Sequence, residues 1–165
     1  MSFYICSAMH PSRSPTPITA AALVNSPEGF NRRPLLAPVL STESLTLLYG
    51  PRGVGKSFLA LAMAWSVAAG SNFLKWQAPQ PRRVLYLDGE LANIDLRERL
   101  AALGSPPEKL HLLSRSSFDG TLPRIDIEDD PRVWEPRVDE GFPHLLVIDS
   151  LSSVLGEREI GRAHV

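Results

Sequence analysis

The chain has a single cysteine, a net charge of −1 and no long apolar run, and each scarcity excludes something. Cys6 has no partner for a disulfide framework and fits a reducing compartment. Near-neutral charge gives the chain as a whole no electrostatic case for tight binding to nucleic acid or a membrane surface, leaving only local patches. The longest apolar stretch, Phe58 to Ala69, is interrupted by Ser66 and falls short of the roughly 20 residues that cross a bilayer. The first residues lack a basic segment followed by an apolar core, so no secretory signal is expected. His10, His111 and His144 are scattered without ligand spacing, which argues against zinc. The expectation is a soluble cytoplasmic protein, not a membrane one. With 44% hydrophobic and 21% charged residues, its 165 residues suffice for one domain with a real core.

What is present divides into two textures. Residues 1–40 are rich in Pro, Ser and small side chains, with Pro11, Pro15, Pro17, Pro27, Pro34 and Pro38, a spacing that predicts neither helix nor central strand. They read as a tail or linker. From Ser44 strands and helices alternate. "SLTLLY" (44–49) has the pattern of a strand buried on both faces, and a helix follows from Lys56 to Ala69, stopped by Gly70. "RVLYLD" (83–88) predicts a second strand, "NIDLRERLAAL" (93–103) a second helix, "LHLLS" (110–114) a third strand and "HLLVIDS" (144–150) a fourth. The polar, Pro-broken section between Ser116 and Pro143 has room for a short helix near Arg132 to Glu140. Such alternation predicts an α/β fold, a mostly parallel sheet flanked by helices, with right-handed crossovers. No internal repeat is visible.

The chemistry concentrates where the first strand turns into the first helix. Gly50, Pro51, Arg52, Gly53, Val54, Gly55, Lys56 and Ser57 fit GxxxxGK(S/T), with Phe58 next on the helix. A plain glycine turn would account for the flexibility but not for a Lys-Ser pair at the start of a helix. Glycines let consecutive backbone N–H groups converge on an anion, and the helix adds its free N–H groups and the positive end of its dipole. Lys56 can then reach the β- and γ-phosphates of a nucleoside triphosphate, and Ser57 can offer its hydroxyl to Mg²⁺. ATP with Mg²⁺ is the expected ligand.

A triphosphate-bound metal needs a second anchor. Asp149 follows four apolar residues and is expected at the carboxyl end of a buried strand, where open α/β sheets bind ligands. The bland reading of a strand-ending Asp is a turn cap. A third carboxylate group closes "VLYLDGEL". Spacing alone leaves Glu90 equally open to orienting an attacking water and to starting a solvated helix face, and makes Asp88 a turn residue. The acidic run 127–130, the Arg82–Arg83 pair and Trp65 and Trp76 read as solvated or packing residues.

Taken together, "LLYGPRGVGKSFLALAMAWSVAAG", "APQPRRVLYLDGEL" and "LLVIDSLSSV" resemble the RecA-like P-loop ATPases, nearest the branch of RepA-type hexameric replicative helicases. The likeness runs from about Leu35 to Val154. It implies a RecA-like P-loop NTPase domain over 41–158, with Glu90 activating water and Asp149 on magnesium. It also implies single-stranded DNA and a homo-oligomer, a hexamer, as partners. The phosphate loop is shared by many families, and the "DGE" strand end is what favours this branch.

Two further expectations follow from the resemblance. The family's sensor residue lies beyond the magnesium aspartate and has no counterpart here. The family's strand between the phosphate-loop strand and the Asp149 strand comes later in sequence than both. Residues 159–165, "EIGRAHV", resemble in translation the read-through of a sequencing adapter, so the domain is expected to be truncated after the Walker B strand. The sheet should then show either a gap beside the phosphate-loop strand or direct pairing of the two flanking strands, and this chain alone should be inactive. Two other functions fit the same loop: a P-loop kinase for a small acceptor, and a nucleotide-dependent regulatory or binding module.

Overall fold

A computed structural model describes residues 2–6, 17–26, 32–118, 122 and 141–154. In chain order the elements are β1 (Ser2–Cys6), α1 (Ala20–Val24), β2 (Pro34–Leu36), β3 (Leu40–Ser41), β4 (Leu45–Tyr49), α2 (Lys56–Ala69), β5 (Asn72–Phe73), β6 (Trp76–Gln77), β7 (Val84–Asp88), α3 (Asn93–Leu103), β8 (Leu110–Ser114), a 3₁₀ turn (Arg115–Phe118), β9 (Leu145–Asp149) and α4 (Leu151–Val154). The bounds of α2, α3 and β8 are those expected from apolar spacing and flanking glycines. The short helix expected near 132–140 and the acidic run 127–130 lie outside the described residues.

Five strands form the main sheet in the order β4-β1-β9-β7-β8. β7 pairs in parallel with both β8 and β9, and β1 runs antiparallel to both β4 and β9. Four strands therefore share one direction and β1 alone opposes them. The sheet is mixed at the one place where the sequence implied a gap or direct pairing: β1 stands between the phosphate-loop strand and the Asp149 strand. This corrects the reading of residues 1–40 as a tail without helix or central strand. Residues 2–6 precede Pro11 and carry Phe, Tyr and Ile, residues that favour strands. Composition averaged over 40 residues concealed a five-residue strand.

Residues 35–40 of that segment also contribute to the core. Pro34 opens β2, a position where its missing N–H costs nothing in a two-stranded edge pair, and Leu35, Leu36 and Leu40 are buried beside α2. Thr19 caps α1 by accepting from the Ala22 N–H at 3.1 Å.

The sheet has two faces. On the first, Val84, Tyr86, Leu145 and Val147 meet Ala60, Leu61, Ala64 and Val67 of α2 and Leu96 of α3. Small alanines along α2 let the helix lie close on the strands, which is why a segment apolar almost all round is a buried helix. On the second face Leu87 and Ile148 pack with Leu122 and Val154. β4 departs from its expected burial on both faces. Leu48 packs against the core, but Leu45, Leu47 and Tyr49 are 59%, 46% and 77% exposed. Their register places them on the second face, in line with Leu146 and Ile148. Among the described residues β4 is the sheet edge, and the cluster on that face ends before reaching it.

Candidate functional site

The parallel strands all end at one edge of the sheet, and the candidate residues collect there because register leaves no alternative. Asp88 pairs with Asp149 across β7 and β9, so the two carboxylates stand side by side at the strand ends. Gly89 extends the ladder by donating to the Asp149 carbonyl at 2.7 Å. From the β4 end, the loop 50–55 carries the chain into α2. Gly53 and Gly55 hold φ of 82° and 86°, in the left-handed region that an L side chain enters only with strain. Nothing stands within 4 Å of the Cβ that either would carry, so conformation rather than crowding demands glycine. Pro51, Arg52, Gly53, Val54 and Gly55 are exposed, and Lys56 and Ser57 are half-buried at the first turn of α2.

Ser57 Oγ and Asp149 Oδ1 lie 3.4 Å apart although 92 positions separate them in sequence. The second oxygen of Asp149 accepts from the Tyr86 hydroxyl at 2.6 Å, and Tyr86 also points at the Ser57 carbonyl, 3.3 Å away. Tyr86 is buried, and burial keeps its phenol protonated, hence a donor. Burial also lifts the Asp149 carboxyl to about 6. The Tyr86 and Ser57 hydroxyls pull it down, and the nearby Asp88 and Glu90 charges push it up. A buried carboxylate beside a hydroxyl and two other acids is a site where a cation would be stabilising. The donor set, one carboxylate and one hydroxyl oxygen, suits a hard oxygen-preferring ion such as Mg²⁺.

Asp88 has the structural role that its DG context suggests. Its Oδ1 accepts the N–H groups of Glu90 and Leu91, both at 2.9 Å, forming the turn that launches α3. Its Oδ2 is buried without a hydrogen-bond partner among the described residues, and burial raises its carboxyl above the usual range. Glu90 is exposed at the mouth of the site, and its Oε1 accepts from the hydroxyl of the fully buried Ser150.

Ser57 and Glu90 open onto a cleft of about 600 Å³, large enough for a nucleotide, whose walls also include Arg52, Lys56, Phe58 and Arg99. Lys56 folds back onto its own loop, donating to the Pro51 carbonyl at 2.6 Å. Tyr86, Ser150 and Arg99 are the members that spacing did not reveal. A hydroxyl-bearing aromatic in an otherwise apolar strand was a usable signal, because a buried Tyr needs a partner. The other two depend on register and helix rotation. Arg83 donates to the Phe142 carbonyl at 3.2 and 3.3 Å, and Arg82 lies 3.4 Å from His144, so this pair joins the base of β7 to the chain entering β9. Trp76 packs on Phe73 with ring centroids 5.9 Å apart, and no helix among the described residues is long and apolar enough to cross a membrane.

A glycine loop between strand and helix, with a carboxylate on a nearby parallel strand, is compatible with a P-loop nucleoside triphosphatase fold. The profile of the AAA domain family matches residues 10–163, and the chain belongs to that family of ATP-binding P-loop ATPases. No curated protein and no solved structure gives a significant match to the chain.

Proposed function

We propose that the chain binds ATP with Mg²⁺ in the cleft at the strand ends and hydrolyses it by in-line attack of water on the γ-phosphate; the expected inactivity rested on a missing strand, and β1 occupies that place. The observation that carries the reading is the convergence of Ser57 and Asp149, remote in sequence and 3.4 Å apart in space. In this reading the N–H groups of the 50–57 loop and the first turn of α2 hold the phosphates. Lys56 leaves the Pro51 carbonyl to meet the β- and γ-oxygens, Ser57 and Asp149 hold the metal, and Glu90 orients the water. Bound Mg²⁺ would supply charge neutralisation across the phosphate oxygens.

The test is phosphate release. Glu90→Gln should keep nucleotide affinity and cut turnover by roughly a hundredfold or more, the usual loss with a general base. Turnover at the parent rate would move that role elsewhere, and a phosphorylated small molecule in place of free phosphate would favour a kinase.

The likeness of the "DGE" strand end to RepA-type helicases extends the proposal to a DNA-maintenance motor, a homo-oligomeric ring, hexameric by that likeness, acting on single-stranded DNA. Severalfold stimulation of hydrolysis by single-stranded DNA supports that extension. An ATPase indifferent to DNA removes it and leaves the nucleotide reading intact.

A further inference from the structure

We propose that the amino ends of β7, β8 and β9 form a second anion site, in which Arg82, Arg83, Lys109 and His144 take a small phosphate dianion, free or as a phosphomonoester. The site lies at the far end of the sheet from the glycine loop. β7 spans five residues, so Arg83 before it and Asp88 at its end are about 16 Å apart. The proposal does not depend on the nucleotide reading of the cleft.

Register assembles the site. Val84 pairs with Leu110 on one side and with Leu145 on the other, so the residues one step earlier, Lys109, Arg83 and His144, stand abreast where the three strands begin. Backbone hydrogen bonds fix that row: the Val84 N–H donates to the Lys109 carbonyl at 2.9 Å, and the His144 N–H to the Arg83 carbonyl at 2.8 Å. With neighbouring strands about 4.8 Å apart, the row is only about 10 Å wide. Arg82 joins it from the preceding position, its Nη1 3.4 Å from His144 Nε2.

What the cluster lacks is an acceptor. Burial, and then the charges of Arg82, Arg83 and Lys109, hold His144 below the ordinary imidazole value, and no acid acts on it among the described residues. Arginine can only donate, so Nε2 of His144 accepts and Nδ1 carries the proton. Arg82 Nε and His144 Nδ1 are both buried without a hydrogen-bond partner among the described residues, an arrangement that costs free energy until an oxygen arrives. Arg83 is already oriented: its Nε and Nη2 donate to the Phe142 carbonyl at 3.3 and 3.2 Å, and a Cβ on Gly141 would stand 3.0 Å from Nη2. Lys109 is exposed, its Nζ 3.4 Å from the Pro81 carbonyl. Donors on three adjacent strand starts suit a compact dianion whose oxygens point several ways better than a planar, singly charged carboxylate.

Proton NMR of the His144 ring, assigned with His144→Gln, tests this in the whole chain titrated with inorganic phosphate and with glycerol 2-phosphate at constant ionic strength, against chloride. The signal is local, so phosphate entering the glycine loop at the other end of the sheet does not mimic the effect. Both phosphates should shift the His144 signal saturably and raise its titration midpoint, because an anion favours the imidazolium, and the tighter of the two identifies the source. Arg82→Gln and Lys109→Gln should each weaken binding about tenfold, the scale of one charge-assisted hydrogen bond. Lys109 is exposed, so its variant can be read even if Arg82→Gln disturbs the fold. No shift, a shift alike in chloride and phosphate, or binding that Lys109→Gln leaves unchanged overturns the proposal. A response to an oligothymidylate strand but to neither small phosphate also overturns it, and makes the surface a nucleic-acid contact instead.

Discussion

The hydroxyl of Ser150, the residue immediately after Asp149, donates to the Glu90 carboxylate across 60 positions of sequence. Ser150 is fully buried and its Oγ also lies 2.7 Å from that of Ser152, whereas Glu90 is exposed, so the anchored partner is the serine. The strand end that supplies the metal carboxylate in the proposed mechanism thereby also fixes the carboxylate that orients water.

Ser150→Ala should lower turnover about tenfold while nucleotide affinity stays within about twofold, because one hydrogen bond to a charged group is lost and the phosphate cradle is untouched. Steady-state hydrolysis combined with a binding titration separates the two effects. Equal loss of affinity and rate would show that Ser150 shapes the cleft rather than positioning Glu90.

Tyr86→Phe should destabilise the fold by about 1–3 kcal/mol, the cost of leaving a buried acceptor unpaired. It also carries a pH signature. Asp149 sits at about 6 in the folded chain against 3.8 in the reference state, so the folded form holds its proton more tightly. In the metal-free protein this contribution is fully present below about pH 4 and is lost as pH rises to about 6. The Tyr86 hydroxyl favours the carboxylate, so its removal should raise the Asp149 value further and extend the loss to higher pH. Melts at about pH 5 and about pH 7 should differ more in the variant than in the parent. An unchanged difference would contradict the Tyr86–Asp149 coupling.

Gly89→Ala should cost at least about 2 kcal/mol, near the upper part of the overpacking range. A Cβ there would overlap Ser153 Oγ and come within 2.6 Å of a Leu122 methyl carbon, in the layer that seals the second face of the sheet. Chemical denaturation measures it, and a neutral result would mean that α4 does not close over Gly89 as described.

Local rules made much of this molecule legible. Apolar spacing and terminal glycines located α2 and α3 to the residue, because those signals act within a few positions. Lys56, Ser57, Glu90 and Asp149 were found as candidates, and all four flank one cleft or touch a residue that does. The failures share a cause. Whether β4 is covered on both faces depends on what packs there, and β1 enters the sheet by pairing with residues at least 39 positions away. Ser150 and Arg99 become site residues through register and helix rotation, which the linear pattern does not contain.

The central claim is that the loop 50–57 is a phosphate cradle whose cation is Lys56. Titrating the chain with a fluorescent ATP analogue in the presence of Mg²⁺ tests it most directly. The parent should bind, and Lys56→Ala should bind at least about tenfold more weakly, the loss expected for one charge-assisted phosphate contact. Unchanged affinity in Lys56→Ala, or no binding by the parent, would contradict the account.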